Sequence, residues 1–205
     1  MTPYWYGARD FGVIGVLHDI TERGRQLQAL RESEARWAFA VEGAGDGVWD
    51  WDMGSGHMLL SKLYEAMLGY DEHELPQTIE AWIRSVHPDD LARVQSNLQD
   101  YLSGKIPAYT VELRLQCKRG GYKWVLSRGM IVGRGADGKP LRMIGIHSDI
   151  NERKQNERQL ELFREMVENT GQPIFLIDVE DNNRLAYANQ AAIQHWGASK
   201  EELLT

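Results

Sequence analysis

Cysteine is nearly missing from this chain of 205 residues, which contains only Cys117. One thiol cannot form an intramolecular disulfide framework or supply several thiolate ligands to a metal, and such usage is typical of a reducing compartment. Lysine and arginine form no block, and 23 of them against 30 aspartates and glutamates leave a net charge of −7. We therefore expect a cytoplasmic protein whose main partner is not a nucleic acid.

Long hydrophobic runs are missing as well. The longest, such as residues 13–17, extend for only a few residues, whereas a membrane-spanning helix needs about 20. The N-terminus has no basic region followed by an apolar one, so we expect no signal peptide and no membrane contact by this segment. The hydrophobic fraction of 42% suffices for one core of ordinary domain size plus smaller pieces.

What the sequence does contain is an internal repeat. Residues 13–23 return as residues 143–153, so that an apolar strand twice runs into the pattern Asp-Ile-polar-Glu-Arg, which is typical of a helix start. Residues 41–52 return in the same way as residues 167–178, which indicates a serial array of modules. The predicted segments are the end of one module at 1–20, a helical linker at 21–41, a complete module at 42–150, a second helical linker at 151–168 and the beginning of a third module at 169–205.

Local patterns predict a hairpin and then helices in the first half of the complete module. Residues 47–52 alternate between apolar and polar side chains as a half-buried strand does, and a turn with two glycines leads to a second short strand. Ser61 is a predicted N-cap for a short helix with Leu63, Met67 and Leu68 on its apolar side. Pro88, followed by two carboxylates, opens a longer helix.

The second half of the module predicts three strands. From Thr110 the pattern has a period of two, with apolar side chains on one face and polar ones on the other. Glycine-containing turns then separate this strand from two further strands, which favours an antiparallel meander. The predicted order is therefore strand, strand, helices, strand, strand, strand.

Several short motifs stand in this order of elements: Trp49-Asp50-Trp51-Asp52, Leu68-Gly69-Tyr70, Val86-His87-Pro88-Asp89-Asp90, Glu112-Leu113-Arg114-Leu115, Gly121-Tyr122-Lys123-Trp124-Val125 and Asp149-Ile150-Asn151-Glu152-Arg153-Lys154. The order and the motifs together resemble the PAS family of sensory domains, in particular the subgroup with a tryptophan-rich first strand. The resemblance implies an α+β fold with a five-stranded antiparallel sheet in the order 2-1-5-4-3. Helices cover one face of that sheet, and helical linkers flank the module.

Members of this family sense ligands, redox state or light, or mediate dimerisation, inside bacterial histidine kinases and diguanylate cyclases. The resemblance therefore implies a sensory and dimerisation module that acts on the output domain of a larger signalling protein. The sequence contains neither the phospho-accepting histidine motif and nucleotide boxes of kinases nor the Gly-Gly-Asp-Glu-Phe type of loop of cyclases. We expect no catalytic residue and no enzymatic activity in this segment.

The resemblance also places a ligand pocket between the inner face of the sheet and the helices. His147 is its most interesting candidate, because the register that turns Gly145 inward also turns this imidazole inward, where it could bind a ligand or respond to pH. The alternative is a core histidine satisfied by backbone or water. The candidate pocket residues are Leu63, Met67, Trp82, Val94, Leu98, Val125, Gly145 and His147.

The identity of a cofactor stays open at this point. The resemblance argues against a cysteine–flavin adduct, because light-sensing relatives carry the cysteine in an Asn-Cys-Arg-Phe-Leu-Gln helix, whereas the helical region here has no cysteine and Cys117 falls near a strand end. Non-covalent flavin and haem are alternatives, although the long helix carries no histidine and haem would need His147 or another unexpected ligand. A ligand-free structural relay is the third alternative. No metal site is expected at residues 87–90, because adjacent side chains that open a helix point in different directions.

The exit of each module is the predicted route of signal transmission. Asp149 can accept backbone N–H bonds from the turn that follows it, and Asn151 can cap the exit helix; Asp19 and Thr21 are their counterparts. Apolar residues in both linkers are spaced three and four apart, which favours a homodimer through a coiled coil over a helix folded back on its own domain. The candidate dimer and linker residues are Leu27, Leu30, Trp37, Val41, Leu160, Phe163 and Val167, with Trp124 and Leu126 on the outer face of the sheet.

Overall fold

A computed structural model describes residues 4–6, 10–12, 25, 26, 28, 29, 32, 43–182 and 184–197 of the chain. The chain divides into two compact units, residues 1–46 and residues 47–205. In the first unit, β1 (Tyr4–Tyr6) and β2 (Asp10–Gly12) form an antiparallel hairpin. The predicted sites Asp19, Thr21, Leu27, Leu30, Trp37 and Val41 lie outside the described residues.

The described part of the second unit begins with a hairpin and continues through three helices into three long strands. A long helix, a second hairpin and a short helix follow. The elements are β3 (Gly47–Asp52), β4 (Met58–Leu60), α1 (Lys62–Met67), α2 (Ile79–Ser85), α3 (Pro88–Leu102), β5 (Tyr109–Gln116), β6 (Tyr122–Arg134), β7 (Pro140–Asp149), α4 (Asn151–Asn169), β8 (Phe175–Asp178), β9 (Arg184–Ala188) and α5 (Gln190–Trp196).

Five of these strands form one antiparallel sheet in the order β4-β3-β7-β6-β5. Numbered within the module, this is the order 2-1-5-4-3, so the predicted fold class is confirmed. Strand β7 pairs with β3 on one side and with β6 on the other, in a register that sets Trp49 opposite Gly145 and Gly47 opposite His147. The last strand thus joins the first strand of the module to the helix α4 that follows.

The core lies between one face of the sheet and the helices α1 to α3. The period of two predicted for β5 is confirmed, because Val111, Leu113 and Leu115 are buried while Thr110 and Gln116 are exposed. Burial of each large aliphatic side chain contributes about 1.5–3 kcal/mol. The helices add Tyr64, Leu68 and Val94 to the same cluster.

Helix α1 begins as predicted, since the hydroxyl of Ser61 accepts a hydrogen bond from the N–H of Tyr64 at 3.2 Å. The prediction for its apolar side is confirmed for Leu68, which is buried, and for Met67, which packs against the core. It is wrong for Leu63, which is only partly covered and joins no core cluster of the described residues, whereas Tyr64 is buried. A helix of six residues has little periodicity, and the long tyrosine side chain reaches the core where spacing alone favours leucine.

Two carboxylates whose burial the sequence does not predict fasten loops and strands to the helices. Glu65 is fully buried and accepts the N–H groups of His73 and Leu75 at 2.8 and 3.0 Å. Asp90 accepts the backbone N–H and the Nε–H of Arg114, both at 2.9 Å, and so ties α3 to β5. Burial acts to raise the pKa of Asp90, but the bonds from Arg114 outweigh it and hold the pKa below its ordinary value.

The hairpin of β8 and β9 repeats the hydrogen bonds of the hairpin of β3 and β4. Asn189 accepts the N–H of Ile174 at 2.9 Å and caps α5, just as Ser61 accepts the N–H of Val48 at 2.9 Å and caps α1. One polar side chain therefore fixes strand, turn and helix together in both places. The sequence repeat has a counterpart in the hydrogen bonds.

Candidate functional site

The indole of Trp49 fills the middle of the core and is 5% exposed. Its ring lies against Gly129 of β6 and Gly145 of β7. A Cβ at residue 129 would stand 2.5 Å from Cη2 of the indole, and a Cβ at residue 145 would overlap the same ring. Tyr109 meets the indole edge-on, with ring centroids 6.3 Å apart. Glycine at these two positions leaves the room that the indole occupies.

His147 points inward as predicted and is 2% exposed. Its Nε2 lies 3.0 Å from Oγ of Ser127, the residue opposite it on β6, and its ring stacks on Tyr64 with centroids 4.9 Å apart. Its Nδ1 is buried and finds no partner among the described residues. Burial lowers the pKa of His147 to about 3, because the surroundings disfavour the imidazolium. The side chain is therefore a neutral core histidine with one nitrogen unsatisfied.

The space left inside the core is a cavity of about 20 Å³. Three of the predicted pocket residues, Trp82, Leu98 and His147, line it. The other five lie in the surrounding core or at its margin: Val94, Val125 and Gly145 are buried, Met67 packs against the core and Leu63 lies outside it. Sequence reasoning missed Tyr109 and Ser127 as wall residues, although the inward alternation of their strands identifies them.

A flavin ring or a haem does not fit this interior. Sites for such groups enclose about 300 Å³ or more, whereas the cavity measures about 20 Å³. The indole of Trp49 takes the volume that a planar group would need, and His147 faces Ser127 and two aromatic rings. No step proposed below depends on a bound cofactor.

A wider, open cleft lies between α1, α2 and the loop that joins them. Its volume is about 220 Å³, and Leu68, Leu75 and Trp82 are among the apolar side chains that line it. Tyr64 forms part of its wall and also stacks on His147. The cleft and the core cavity share Trp82 as a wall residue.

Hydrogen bonds around the end of β7 fix the turn that leads from the sheet into α4. Oδ1 of Asp149 accepts the N–H of Asn151 at 2.9 Å, which is the bond expected for this turn, and Oδ2 lies 2.8 Å from Nζ of Lys123. The prediction that Asn151 caps the exit helix is wrong. Ile150 occupies the N-cap position of α4, and the side chain of Asn151 instead accepts the N–H of Trp124 at 3.0 Å, because β6 offers a free donor there.

The first turn of α4 also lies over the outer face of β5. Glu112 pairs with Arg153 at 2.6 Å and with Lys154 at 2.7 Å, and these bonds hold the pKa of Glu112 below its ordinary value. Lys154 and Arg114 place their charges over the ring of Trp124, 5.4 and 5.2 Å from its centroid. We refer to Asp149, Asn151, Glu112, Arg153 and Lys154 as the exit clamp.

Sequence reasoning named Trp124 as a docking surface and missed Glu112. The signal that could have found it is a pair of opposite charges, an acid on the wet face of β5 and two bases in the first turn of the helix. The first turn of the linker thus docks beside Trp124, at the place the sequence suggested.

Beyond its first turn, α4 leaves large apolar side chains exposed. Leu160 is 70% exposed and Phe163 is 59% exposed, and no residue of the helix is buried. With the half-buried Val167, these two residues line an open groove of about 390 Å³ against the second hairpin. Leu126, on the outer face of the sheet, is half-buried. None of the helices in the described ranges combines the length and the apolar character that crossing a membrane requires.

Two family models match the sequence. A model described as the PAS fold matches residues 57–147, which covers most of the five-stranded module. A model described as a PAS domain matches residues 161–205, which begins inside α4 and includes the second hairpin.

A solved structure matches a larger share of the chain than either family model does. The crystal structure of a sensory box histidine kinase/response regulator from Burkholderia thailandensis E264 is 38% identical in sequence. The match covers 66% of this chain and 99% of that chain, with a TM-score of 0.59. The similarity therefore includes sequence as well as fold.

Curated relatives are signalling proteins of greater length. The probable diguanylate cyclase DgcE of Escherichia coli (strain K12) is 24% identical over 195 residues, which is 93% of this chain and 17% of that protein. The sensor protein FixL of Bradyrhizobium diazoefficiens is 28% identical over 120 residues, 58% of this chain and 23% of that protein. The chain spans about a fifth of the length of the first relatives it matches. Its sheet order, its motifs and these matches together show that the chain belongs to the PAS family of sensory signalling domains.

Proposed function

We propose that this segment is a non-catalytic PAS module that relays a conformational signal within a larger signalling protein. The observation that carries the proposal is the exit clamp, through which β5, β6 and β7 all bind the first turn of α4. Because these bonds fix the angle between sheet and helix, a shift of β7 relative to β6 changes the tilt or rotation of α4. The output domain of the parent protein responds to that movement.

The filled core favours a change in packing over a large ligand as the origin of the signal. Trp49 rests on Gly145, which precedes His147 and Asp149 on the same strand. A rearrangement of the indole therefore acts on the strand that ends at the clamp. This supports the ligand-free relay over a flavin or haem sensor.

The module also fits a homodimer formed through α4. Leu160, Phe163 and Val167 are three and four residues apart, and the first two are exposed. An exposed stripe with this spacing is buried when a second copy of the helix packs against it. A tilt of α4 in each copy would then change the packing of the pair and transmit the signal along it.

We further propose that residues 169–205 begin another PAS module. The match of a PAS domain model to residues 161–205 supports this, and so does the shared role of Asn189 and Ser61 as combined strand anchor and helix cap. Helix α4 would then connect two sensory modules in series.

The relay is tested in the full-length parent protein by measuring its output, phosphotransfer or cyclic-di-GMP synthesis, with and without the stimulus. Asp149→Ala removes the bond to Asn151 and the ion pair with Lys123 while leaving the core intact. We expect an output that no longer responds to the stimulus. Regulation at the wild-type level, in a variant shown to be folded by circular dichroism, would refute the proposal.

Asp52→Ala is the matched control. Asp52 accepts the N–H groups of Gly54 and Ser55 at 2.8 and 3.0 Å, the same kind of bond as at Asp149. In the register of β3 with β7, Asp52 lies opposite Arg142, at the end of β7 that is far from the exit clamp. We expect this variant to remain regulated, so a loss of response in both variants would point to general loosening of the sheet.

A further inference from the structure

The open cleft between α1, α2 and the loop that joins them is lined mainly by apolar side chains, and polar groups also reach its surface. Its volume of about 220 Å³ lies below the roughly 300 Å³ at which sites for drug-sized ligands begin. A cleft of this size and lining suits a small molecule with a compact aliphatic body. The apolar residues of the wall are Leu60, Leu68, Leu75, Pro76, Ala81 and Trp82.

The wall of the cleft contains one positive charge. Among the described residues that line it, only Arg84 is charged. Arg84 lies in the last turn of α2, is exposed, and forms no hydrogen bond or ion pair with another described residue. A guanidinium without a protein partner is available to an anion, and its paired N–H groups match the two oxygens of a carboxylate. A cationic ligand would find no counter-charge among these wall residues.

The hydroxyl of Tyr64 is a second polar group of the wall. The residue is 3% exposed, yet its hydroxyl forms no hydrogen bond with any described residue. This oxygen is not among the polar atoms that are sealed from solvent, and Tyr64 lines the cleft but not the core cavity, so the hydroxyl opens into the cleft. Burial raises the pKa of Tyr64 above its ordinary value, so the hydroxyl keeps its proton and can donate it. A ligand oxygen would supply the partner that the protein does not.

The loop that forms one side of the cleft is held in place by charged groups. The buried carboxylate of Glu65 accepts the N–H groups of His73 and Leu75. Lys118, just beyond β5, pairs with Glu74 of the same loop at 2.6 Å. The cleft is therefore formed before a ligand enters, which lowers the entropic cost of binding.

We propose that this cleft binds a short-chain aliphatic monocarboxylate, with its carboxylate on Arg84 and the hydroxyl of Tyr64 and its chain against the apolar wall. The single cation of the wall balances one negative charge, which favours a monocarboxylate over a dianion such as phosphate. Because the cleft is open, its ligand exchanges with the buffer, and dialysis empties it. The site is separate from the closed interior, in which a flavin or haem does not fit.

Occupation of the cleft would act on the core through two residues. The ring of Tyr64 stacks on His147 of β7, and Trp82 lines both the cleft and the core cavity. A ligand that shifts either ring therefore disturbs the packing beside the strand that ends at the exit clamp. This step, unlike binding itself, rests on the proposed relay.

The test is a titration of the ¹⁵N-labelled chain with sodium hexanoate, followed in ¹H–¹⁵N correlation spectra. We expect saturable shifts at the indole N–H of Trp82 and at the backbone N–H groups of Leu75 and Ala81. Hexanol has the body without the charge and acetate has the charge without the body, so each should bind about fivefold more weakly or worse. Shifts that do not saturate with hexanoate, or equal binding of hexylammonium, would overturn the proposal.

Arg84→Gln and Tyr64→Phe test the two polar contacts. Neither substitution removes a side-chain hydrogen bond to a described residue, so weaker binding reports a lost contact with the ligand. We expect the dissociation constant for hexanoate to rise about fivefold in Arg84→Gln and about threefold in Tyr64→Phe. Arg119→Gln, which removes the same charge from an exposed arginine outside the cleft, should bind as the wild type does. Unchanged binding in either cleft variant, or an equal loss in Arg119→Gln, would contradict the site.

Asp149→Ala separates the cleft site from the relay. The substitution alters the exit clamp and no residue of the cleft wall, so the variant should bind hexanoate as the wild type does even where its output no longer responds. Absence of binding in the wild-type chain would overturn the cleft site alone, because the relay is measured through output.

Discussion

Trp49 projects from β3 across the inner face of the sheet, and its indole occupies the space above residues 129 and 145. Because both of those residues are glycine, no side chain at either position separates the ring from the backbone of β6 and β7. The interior is close-packed here because one large side chain faces two positions that carry no side chain. A change at any of the three should therefore alter the packing of the whole inner face.

Gly145→Ala should destabilise the module strongly. Its Cβ would overlap both the indole of Trp49 and the carbonyl oxygen of Arg128, and a backbone atom cannot move aside as a flexible side chain can. We expect the free energy of unfolding in urea to fall by about 3 kcal/mol. Gly133→Ala is the control, since its Cβ would stand 3.4 Å from the nearest atom, Cβ of Arg142. Equal losses in the two variants would contradict this packing.

The buried His147 predicts a pH dependence of stability. The pKa of its imidazole is about 6.5 in the unfolded chain and about 3 in the folded one. Between these values only the unfolded state binds the proton, so His147 lowers stability as the pH falls from 6.5 towards 3. His147→Gln removes this contribution, and we expect its Tm to decline less steeply than that of the wild type over the same range. Parallel Tm curves would show that His147 is not buried in neutral form.

The burial of a single residue could be predicted from the sequence where the residue lies on a strand, because alternation along the strand fixes the direction of its side chain. Alternation along β7 places Gly145 and His147 inward, and both are buried there. Glu65 could not be predicted, because its partners His73 and Leu75 lie in a loop whose path depends on the folded whole. The prediction that Leu63 faces the core was wrong for a related reason, because the sequence of one short helix does not reveal which of its faces is covered.

The helix α4 has two parts with different surroundings. Its first turn is bound to β5 and β6 through charges and hydrogen bonds, whereas its later turns expose apolar side chains. A helix of this kind moves with the sheet at one end and presents a surface to a partner at the other. The relay depends on the rigidity of the first turn.

Glu112→Gln should loosen that first turn. Removing the carboxylate charge weakens the pairs with Arg153 and Lys154, so we expect faster amide hydrogen exchange in the first turn of α4. The free energy of unfolding should change by about 1 kcal/mol or less, because these pairs are solvent-exposed. Glu161→Gln, which weakens a pair with Arg158 within the helix, should leave exchange in the first turn unchanged. Unchanged exchange in the Glu112 variant would contradict the clamp.

Elements were predictable where a long periodic pattern covers them, as in β5 and in α3 with its proline start. The start of α4 shows the limit. Asparagine is a common N-cap residue, which favours Asn151 as the cap. In the structure, however, the N–H of Ile150 donates to the carbonyl of Trp124, and the N–H of Trp124 donates to the side chain of Asn151. A tertiary donor thus replaces the local one, and no local pattern reveals which donor lies nearer.

For the molecule as a whole, the repeat made the fold predictable. Asp52 and Asp178 each accept two backbone N–H bonds in the turn of their hairpin, 126 residues apart in the chain. Two copies of one pattern reduce the chance that either is accidental, and the order of strands follows from the one complete copy. The filling of the core was not predictable in this way, because it depends on how strands β3, β6 and β7 face one another.

Leu160→Glu should shift the chain from dimer to monomer. The charge enters the exposed apolar stripe of α4, where a second copy of the helix would have to bury it. We expect a lower sedimentation coefficient at equal concentration and an unchanged thermal melt of the module. Gln155→Glu places the same charge on another, exposed face of the helix and should leave the dimer intact. A wild-type chain that is monomeric throughout would contradict the predicted interface.

The filled core can be tested most directly by the absorption spectrum of the purified chain, followed by mass spectrometry of a denaturing extract. Because the indole of Trp49 occupies the interior and leaves about 20 Å³, we predict a colourless protein that releases no organic molecule. A flavin or haem band, or the stoichiometric release of an aromatic compound, would contradict the filled core and the packing-based relay that depends on it.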